Sequence, residues 1–187
     1  MSENTLTAKS IEKFLTELDV LIRARYPLIS INTYEEDRVR QALKDLVFKE
    51  KHKEKPLYCW SRPNGLQKIV DPKDGVLQTP QVIADTDDPE SILSYIAEQK
   101  IGIFLLCDYA PYITPYGQED AVLVRRLREI AWKLKATKTT ILFVGPNFPD
   151  LKTLEKEITQ IELELPKEAE IEESIELQLE RLKDNGL

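Results

Sequence analysis

The chain has 187 residues, of which 42% are apolar and 32% are charged, and its formal net charge is −7. This length fits one domain with room for an added helix, and so acidic a domain has no general attraction for nucleic acid or anionic lipid. The polar N-terminus predicts no signal peptide, and no apolar run is long enough to predict a membrane span. We therefore expect a soluble protein of a reducing compartment, without a nucleic-acid partner.

Hydrophobic periodicity at the start of the chain predicts a helix, a strand and a second helix. Apolar residues recur every three to four positions over residues 10–25, which indicates an amphipathic helix. Residues 27–32 are typical of a buried strand, and residues 34–51 of an amphipathic helix. Thr33 is expected to cap this helix, because Glu36 follows it at the spacing of a capping box.

The rest of the chain continues the alternation of strands and helices, separated by proline and glycine residues that are typical of turns. The strand at 101–107 is the most apolar, which indicates a parallel strand covered on both faces. In chain order we predict a strand at 57–60, a short hairpin at 67–70 and 76–78, a helix from Asp88 through Ile96, the strand at 101–107, a helix at 119–135, a strand at 139–144, a short helix near 150–157, a strand at 158–165 and an acidic helix at 168–184.

This alternation predicts an α/β fold, a three-layer sandwich with a mainly parallel, five-stranded sheet. We expect a flexible N-terminus at 1–9, the α/β domain at 10–166 and an acidic C-terminal helix at 167–187. Ligands of such sheets bind beyond the carboxyl ends of the strands, so the turns that follow the strands are the places to look for a site.

The cysteines and the histidine do not suggest a metal site. Cys59 and Cys107 both fall inside predicted strands, where the favoured interpretation is a small buried hydrophobic residue. A zinc site or disulfide framework needs more ligands at suitable spacing. His52 lies in the lysine-rich run 49–55, whose interleaved acids predict a solvated helix end and turn rather than a nucleic-acid site.

The turn after the first strand is where a nucleotide-binding α/β protein would hold phosphate. A phosphate loop needs GxxxxGK followed by Ser or Thr, so that backbone N–H groups approach the phosphate and the lysine neutralises its charge. Here the turn has no glycine and no lysine, and it carries Glu35, Glu36 and Asp37. These acids favour the start of a helix through its dipole and would repel a triphosphate.

Asp108 ends the most apolar strand, where phosphate-loop ATPases carry a magnesium-organising aspartate. Tyr109 and Ala110 follow it, in place of the second acid that activates water. A strand-terminal aspartate is also a common turn former. An alternative hypothesis joins Asp108 with Glu35 and Glu36 in an acidic pocket, similar to that of receiver domains, if the strands before them are neighbours. That pocket would bind Mg²⁺. The broader alternative to a non-catalytic role is a weak ATP or Mg²⁺ site that uses Asp108 and the acids at 35–37.

The loop at 109–117 is a candidate contact surface for a protein partner. It contains Tyr109, Tyr112 and Tyr116, and its two prolines limit the freedom of the chain. Aromatic side chains held in this way are typical of interface contacts, although such a loop can equally pack on its own domain.

The predicted helix at 119–135 carries the basic residues Arg125, Arg126 and Arg128. One interpretation is a solvated face that forms salt bridges with an acidic chain. The other is a docking surface for an acidic partner.

Four segments, in order, resemble the N-terminal region of an AAA-type ATPase family found in cyanobacteria and algal plastids, where it is described as a conserved chloroplast reading frame. They are LIRARYPLISINTYEEDR at 21–38, YCWS at 58–61, GIFLLCD at 102–108 and RRLREIAWKLK at 125–135. Members continue into a second domain with the true phosphate loop and the Asp-Glu motif, which has no counterpart in these 187 residues.

The resemblance implies a degenerate phosphate-loop NTPase topology of the AAA type, in a domain either excised or encoded alone. It implies that this chain has no catalytic residue and requires no cofactor. The domain would regulate an ATPase or dock protein partners for it, in the cyanobacterial cytoplasm or the plastid stroma. The partner would be an AAA-type ATPase module or a second copy of the chain.

Overall fold

The structure is a computed structural model that describes residues 9–48, 52–70, 80–163, 165 and 175. Three predicted segments lie outside the described residues, wholly or almost wholly: the N-terminal segment, the hairpin arm at 76–78 and the acidic helix at 168–184.

The described residues form five α-helices and seven strands in the alternation that the sequence predicts. The helices are α1 (Lys9–Arg23), α2 (Glu36–Leu46), α3 (Pro89–Ala97), α4 (Ala110–Ile113) and α5 (Ala121–Leu134). The strands are β1 (Leu28–Asn32), β2 (Leu57–Ser61), β3 (Gly65–Ile69), β4 (Gln81–Ile83), β5 (Ile101–Cys107), β6 (Lys138–Gly145) and β7 (Ile158–Glu162). The short helix predicted near 150–157 is a single 3₁₀ turn, Lys152–Leu154.

The prediction of a five-stranded sheet is wrong, because the sheet has seven strands and is mixed. Its order is β4-β3-β2-β5-β6-β1-β7. The five strands from β2 to β7 in this order run parallel, whereas β3 and β4 add an antiparallel extension beside β2. The extension forms because the chain reverses directly after Ser61: Asn64 N–H donates to the Ser61 carbonyl, and Gly65 has a φ of 63°. Glycine adopts this left-handed conformation without steric cost.

Two hydrophobic clusters cover opposite faces of the sheet, which gives the three-layer arrangement. One cluster joins the sheet to α1 and α2, and the other joins it to α3, α4 and α5. Along β5, Ile103 and Leu105 belong to the first cluster, while Phe104 and Leu106 belong to the second. The prediction that this strand is covered on both faces is therefore confirmed.

The predicted capping box at the start of α2 is wrong. The helix begins at Glu36, and within the described residues no side chain caps it at Glu35. Thr33 is held at the sheet edge, where its N–H donates to the Gly145 carbonyl, and its hydroxyl accepts from Glu35 N–H at 3.0 Å. Thr33 therefore closes a tight turn ahead of the helix instead of capping it.

Candidate functional site

The sheet order does not make neighbours of the two strands that one hypothesis placed side by side. Asn32 at the end of β1 pairs with Gly145 of β6, and Cys107 at the end of β5 pairs with Val144 of β6. Strand β6 therefore lies between β1 and β5, and two strand spacings put the ends of β1 and β5 about 10 Å apart. The assumption that these two strands are neighbours is wrong, and with it the geometric basis for an acidic pocket of the receiver type.

The turn that would hold phosphate is closed by hydrogen bonds to the neighbouring strand end. Thr33 N–H donates to the Gly145 carbonyl at 3.2 Å, and Phe148 N–H donates to Asn32 Oδ1 at 3.3 Å. Glu35 N–H is also engaged, since it donates to the Thr33 hydroxyl. A phosphate cradle works by presenting backbone N–H groups to the ligand. Here two of those groups already have partners within the protein.

The three acids after this turn each lie beside an arginine of α2. Glu35 Oε2 is 2.7 Å from Arg38 Nη1, and Asp37 Oδ1 is 3.3 Å from Arg40 Nη1. Glu36 forms a third ion pair, with Arg40 Nη2. Acids in the first helical turn stabilise a helix through its dipole, and the spacing of these pairs suits neighbours on one helix. The acids therefore have a structural role that needs no ligand.

Asp108 lies exposed at the carboxyl end of β5, where the sequence places it. It adopts a φ of 50°, and its N–H donates to the Val144 carbonyl at 2.9 Å. Its Oδ1 lies 3.0 Å from the position that a Cβ on residue 145 would occupy, so Gly145 makes room for it. Across the described ranges, no group of three or more His, Cys, Asp or Glu side chains is arranged to hold a metal ion.

The structure divides the three tyrosines of the predicted contact loop. Tyr109 is buried, and its hydroxyl donates to the Pro89 carbonyl at 2.6 Å. Burial raises the pKa of this hydroxyl. Tyr112 packs edge-on against Trp60, with ring centroids 6.1 Å apart. Tyr116 is fully exposed in the turn before α5, so of the three it is the one placed to meet a partner.

The three arginines of α5 have different neighbours. Arg126 Nη1 lies 3.3 Å from Glu90 of α3, and its Nη2 donates to the Ser94 hydroxyl, so Arg126 ties the two helices together. Arg128 donates to the carbonyl of Thr153 in the 3₁₀ turn. Arg125 lies on the outer surface.

The outer face of α5 exposes apolar side chains that the sequence interpretation missed. Val122 is 63% exposed and Trp132 is 50% exposed. The Arg125 guanidinium lies 5.7 Å from the Trp132 ring centroid, which is a cation–π distance, and its Nε donates to Glu129 at 2.7 Å. The signal was present in the sequence, since these residues interrupt the polar face of the helix at helical spacing.

A groove runs beside the outer face of α5, between α3 and α5. Its cavity volume is about 600 Å³, and Ala97, Val122 and Ile130 are among the residues that line it. Small residues on α3, Ser94 and Ala97, leave the space that a longer side chain would fill.

Helices cover both faces of a sheet that contains five parallel strands, which defines a three-layer α/β domain. The chain belongs to the SpoVK-like AAA ATPase N-terminal domain family, whose model matches residues 14–163. All four segments that carried the resemblance lie inside this match, so the predicted family is confirmed.

The curated relatives that the chain matches are longer proteins. The chain is similar to the "Uncharacterized AAA domain-containing protein ycf46" of Trieres chinensis, with 28% identity over 163 residues, and to that of Guillardia theta, with 25% identity over 167 residues. These matches cover 87% and 89% of this chain but 30% of each relative. The chain thus spans about a third of the length of these relatives.

None of the helices in the described part of the chain is long and apolar enough to cross a bilayer.

Proposed function

We propose that this chain is a non-catalytic, AAA-like domain that docks an AAA-type ATPase module and regulates it. The observation that carries the proposal is the closed turn between β1 and α2. The place where a nucleotide-binding relative would use free N–H groups for phosphate is occupied by hydrogen bonds of Thr33 and Glu35 within the protein. In this proposal the chain is not an enzyme, requires no cofactor and acts in the cyanobacterial cytoplasm or the plastid stroma.

We assign the docking surface to the outer face of α5 and the turn before it, with Tyr116, Val122, Arg125 and Trp132 as its contact residues. Single exposed apolar residues are ordinary on protein surfaces. Here Val122 and Trp132 share a helix face with Arg125, and Val122 and Arg125 line the groove beside α3. Tryptophan, tyrosine and arginine are the side chains that most often contribute large binding free energies at interfaces.

The ATPase module is the partner that the comparisons favour. The matching family is described as the N-terminal domain of an AAA ATPase, and the relatives contain further chain beyond the match. In such longer proteins the N-terminal domain is covalently linked to the rest of the chain. The linkage gives the two parts a high effective concentration for each other.

The test measures binding between the full 187-residue chain and the part of the Trieres chinensis relative outside the match. That part is first checked for folding by circular dichroism and for ATP hydrolysis. Isothermal titration calorimetry then gives the dissociation constant, and we expect Trp132→Ala to weaken binding about tenfold or more. A change in the ATPase rate on addition of the chain is the expected sign of regulation.

Tyr34→Ala is the matched control, because Tyr34 is an 80% exposed aromatic residue beside the closed turn, away from α5. It should leave the affinity unchanged. An affinity that falls with Tyr34→Ala and not with Trp132→Ala contradicts the assigned surface. If light scattering instead shows a dimer of the chain that Trp132→Ala dissociates, the partner is a second copy and the ATPase proposal is overturned.

A further inference from the structure

The two cysteines lie side by side on one face of the sheet. Cys59 of β2 is opposite Leu105 of β5, so Cys107 is two residues further along the neighbouring strand and faces the same side. The two sulfur atoms are 3.7 Å apart. Cys107 is buried, as the sequence predicts, whereas Cys59 is partly exposed. The proximity of the two thiols follows from the pairing of β2 with β5, which the sequence pattern did not specify.

Cys59 is partly exposed, and it packs against the hydrophobic cluster on the α1 and α2 face of the sheet. The cluster on this face is built mainly from these helices and from β1, β5 and β6, and Cys59 packs against it only in part. As a residue, Cys59 is thus more exposed to solvent than Cys107.

Arg40 and Glu36 of α2 both lie near the two thiols, whose pKa values shift in opposite directions. The hydrogen bond with Cys107 and the positive charge of Arg40 lower the pKa of Cys59. The hydrogen bond with Cys59 and burial raise the pKa of Cys107. Among the described residues, the buried Nε of Arg40 has no hydrogen-bond partner. A thiolate, not a thiol, is the form of cysteine that attacks an electrophile.

We propose that Cys59 and Cys107 form a peroxide-sensitive dithiol, in which Cys59 is oxidised first and Cys107 converts it into an intrachain disulfide. In the first step the Cys59 thiolate attacks one oxygen of a hydroperoxide and the O–O bond breaks. This step gives a sulfenic acid on Cys59 and, with one proton taken up, an alcohol or water. In the second step the Cys107 sulfur attacks the Cys59 sulfur, the S–O bond breaks, and water leaves with the Cys107 proton. Sulfur is oxidised and the peroxide is reduced.

The second step needs a shift of the strand backbone as well as of the sulfur atoms, because diagonal neighbours on adjacent strands have Cα atoms about 7–8 Å apart and a disulfide joins Cα atoms about 4.4–6.8 Å apart. The sulfur atoms must approach from 3.7 Å to the bond length of about 2.05 Å. Cys107 is the last residue of β5 and Cys59 is two residues before the end of β2, so the movement falls at the carboxyl ends of the strands. An intrachain bond between adjacent strands leaves the sheet order unchanged.

The experiment treats the full, reduced 187-residue chain with a small molar excess of hydrogen peroxide and follows its intact mass. We expect the loss of two hydrogen atoms, reversed by dithiothreitol, and a cross-linked proteolytic peptide that joins Cys59 to Cys107. In Cys107→Ser, Cys59 should accumulate as a sulfenic acid that dimedone traps. In Cys59→Ser, Cys107 should stay reduced under the same treatment. Circular dichroism tests whether both variants fold, and the wild-type cross-link tests the proposal even if one of them does not.

Arg40→Gln tests the contribution of the guanidinium. A rise of one unit in the pKa of Cys59 lowers its thiolate fraction near neutral pH about tenfold. In the Cys107→Ser background, the rate at which peroxide forms the sulfenic acid that dimedone traps should therefore fall. Arg38→Gln is the matched control, since Arg38 lies on the same helix and pairs with Glu35, and it should leave the rate unchanged. Oxidation that yields only cross-links between two copies, equal dimedone labelling of both cysteines, or two thiols that stay reduced would overturn the proposal.

Discussion

At the scale of single residues, the histidine contradicts the interpretation of its sequence segment. The lysine-rich run predicts a solvated turn, but His52 and Lys55 are both buried in the structure. His52 Nε2 lies 3.0 Å from Asp19 Oδ1 of α1, and Arg23 of α1 is 3.2 Å from the other oxygen of the same carboxylate. The histidine thus connects the segment before β2 to the first helix. The partner of His52 lies 33 residues away in the sequence, and a single polar contact of this kind produces no periodic pattern from which it could be predicted.

The burial of His52 predicts how stability changes with pH. Burial lowers the pKa of His52 below its ordinary value of 6.5, and the charge of Lys55 lowers it further, while the hydrogen bond with Asp19 opposes the shift. The unfolded chain therefore takes up a proton before the folded chain as pH falls. The free energy of unfolding should decrease below about pH 6.5, by up to about 1.4 kcal/mol per pH unit from this group.

Urea denaturation of the wild type and of His52→Gln at pH 7.5 and pH 5.5 measures this effect. Glutamine retains a donor for Asp19 but does not titrate in this range. The difference in stability between the two proteins should shift in favour of the variant at the lower pH. An equal dependence on pH in both proteins would contradict the assignment.

At the scale of elements, helices α2, α3 and α5 begin in two different ways. Asp88 and Asp120 cap α3 and α5, and each carboxylate accepts from two backbone N–H groups at 2.9 to 3.0 Å. Helix α2 depends instead on the ion pairs of its first turn. An aspartate directly before the helix is a recognisable sequence signal for the start of α3 and of α5. The turn before α2 is instead held by the hydrogen bond between Thr33 N–H and the Gly145 carbonyl of β6.

Asp120→Ala should lower the free energy of unfolding by about 1 kcal/mol, because it removes the acceptor for Val122 N–H and Leu123 N–H. The comparison variant is Glu35→Ala at the corresponding position of α2, where the side chain makes no capping bond in the described structure. Its cost should be clearly smaller, since it removes only a partly exposed ion pair with Arg38. Urea denaturation at pH 7 measures both, and equal costs would contradict the distinction.

At the scale of the whole molecule, much of the fold follows from the sequence. The spacing of apolar residues identifies the buried strands and the amphipathic helices, because it reflects which face of each helix or strand is buried. The order of the strands could not be predicted in this way. The position of β6 between β1 and β5 depends on the crossover connections of the chain. Because of it, the strands that precede Glu36 and Asp108 are not neighbours in the sheet. The added hairpin arm β4 is short and partly exposed, so its pattern is weak.

The sequence predicted the part of the candidate site that depends on residue types absent from the turn after β1. It was a weaker guide to which side chains are exposed on the surface. The lack of glycine and lysine after β1 is visible in the sequence. The hydrogen bonds that close the turn require the position of Phe148, which lies far along the chain. Tyr109 and Tyr116 are the same residue type in one loop, yet Tyr109 is buried in the core and Tyr116 is exposed to solvent. Sequence alone did not distinguish between them.

The closed turn predicts the response of the full chain to nucleotide. A specific ligand raises the thermal midpoint when its concentration exceeds its dissociation constant. We expect no shift with millimolar Mg-ATP or with magnesium alone, and no ATP hydrolysis by the purified chain. A reproducible rise in the midpoint that Asp108→Asn abolishes would support weak ATP or Mg²⁺ binding instead and contradict the proposed role.

The short connection from β1 to α2 also limits how this domain could be re-engineered. Only residues 33–35 separate the strand from the helix, whereas a GxxxxGK[ST] motif spans about eight residues. Point substitutions that introduced glycine and lysine here would therefore change the chemistry of the turn but not its length. A graft that introduced nucleotide binding would need inserted residues and a new path for the segment around Phe148.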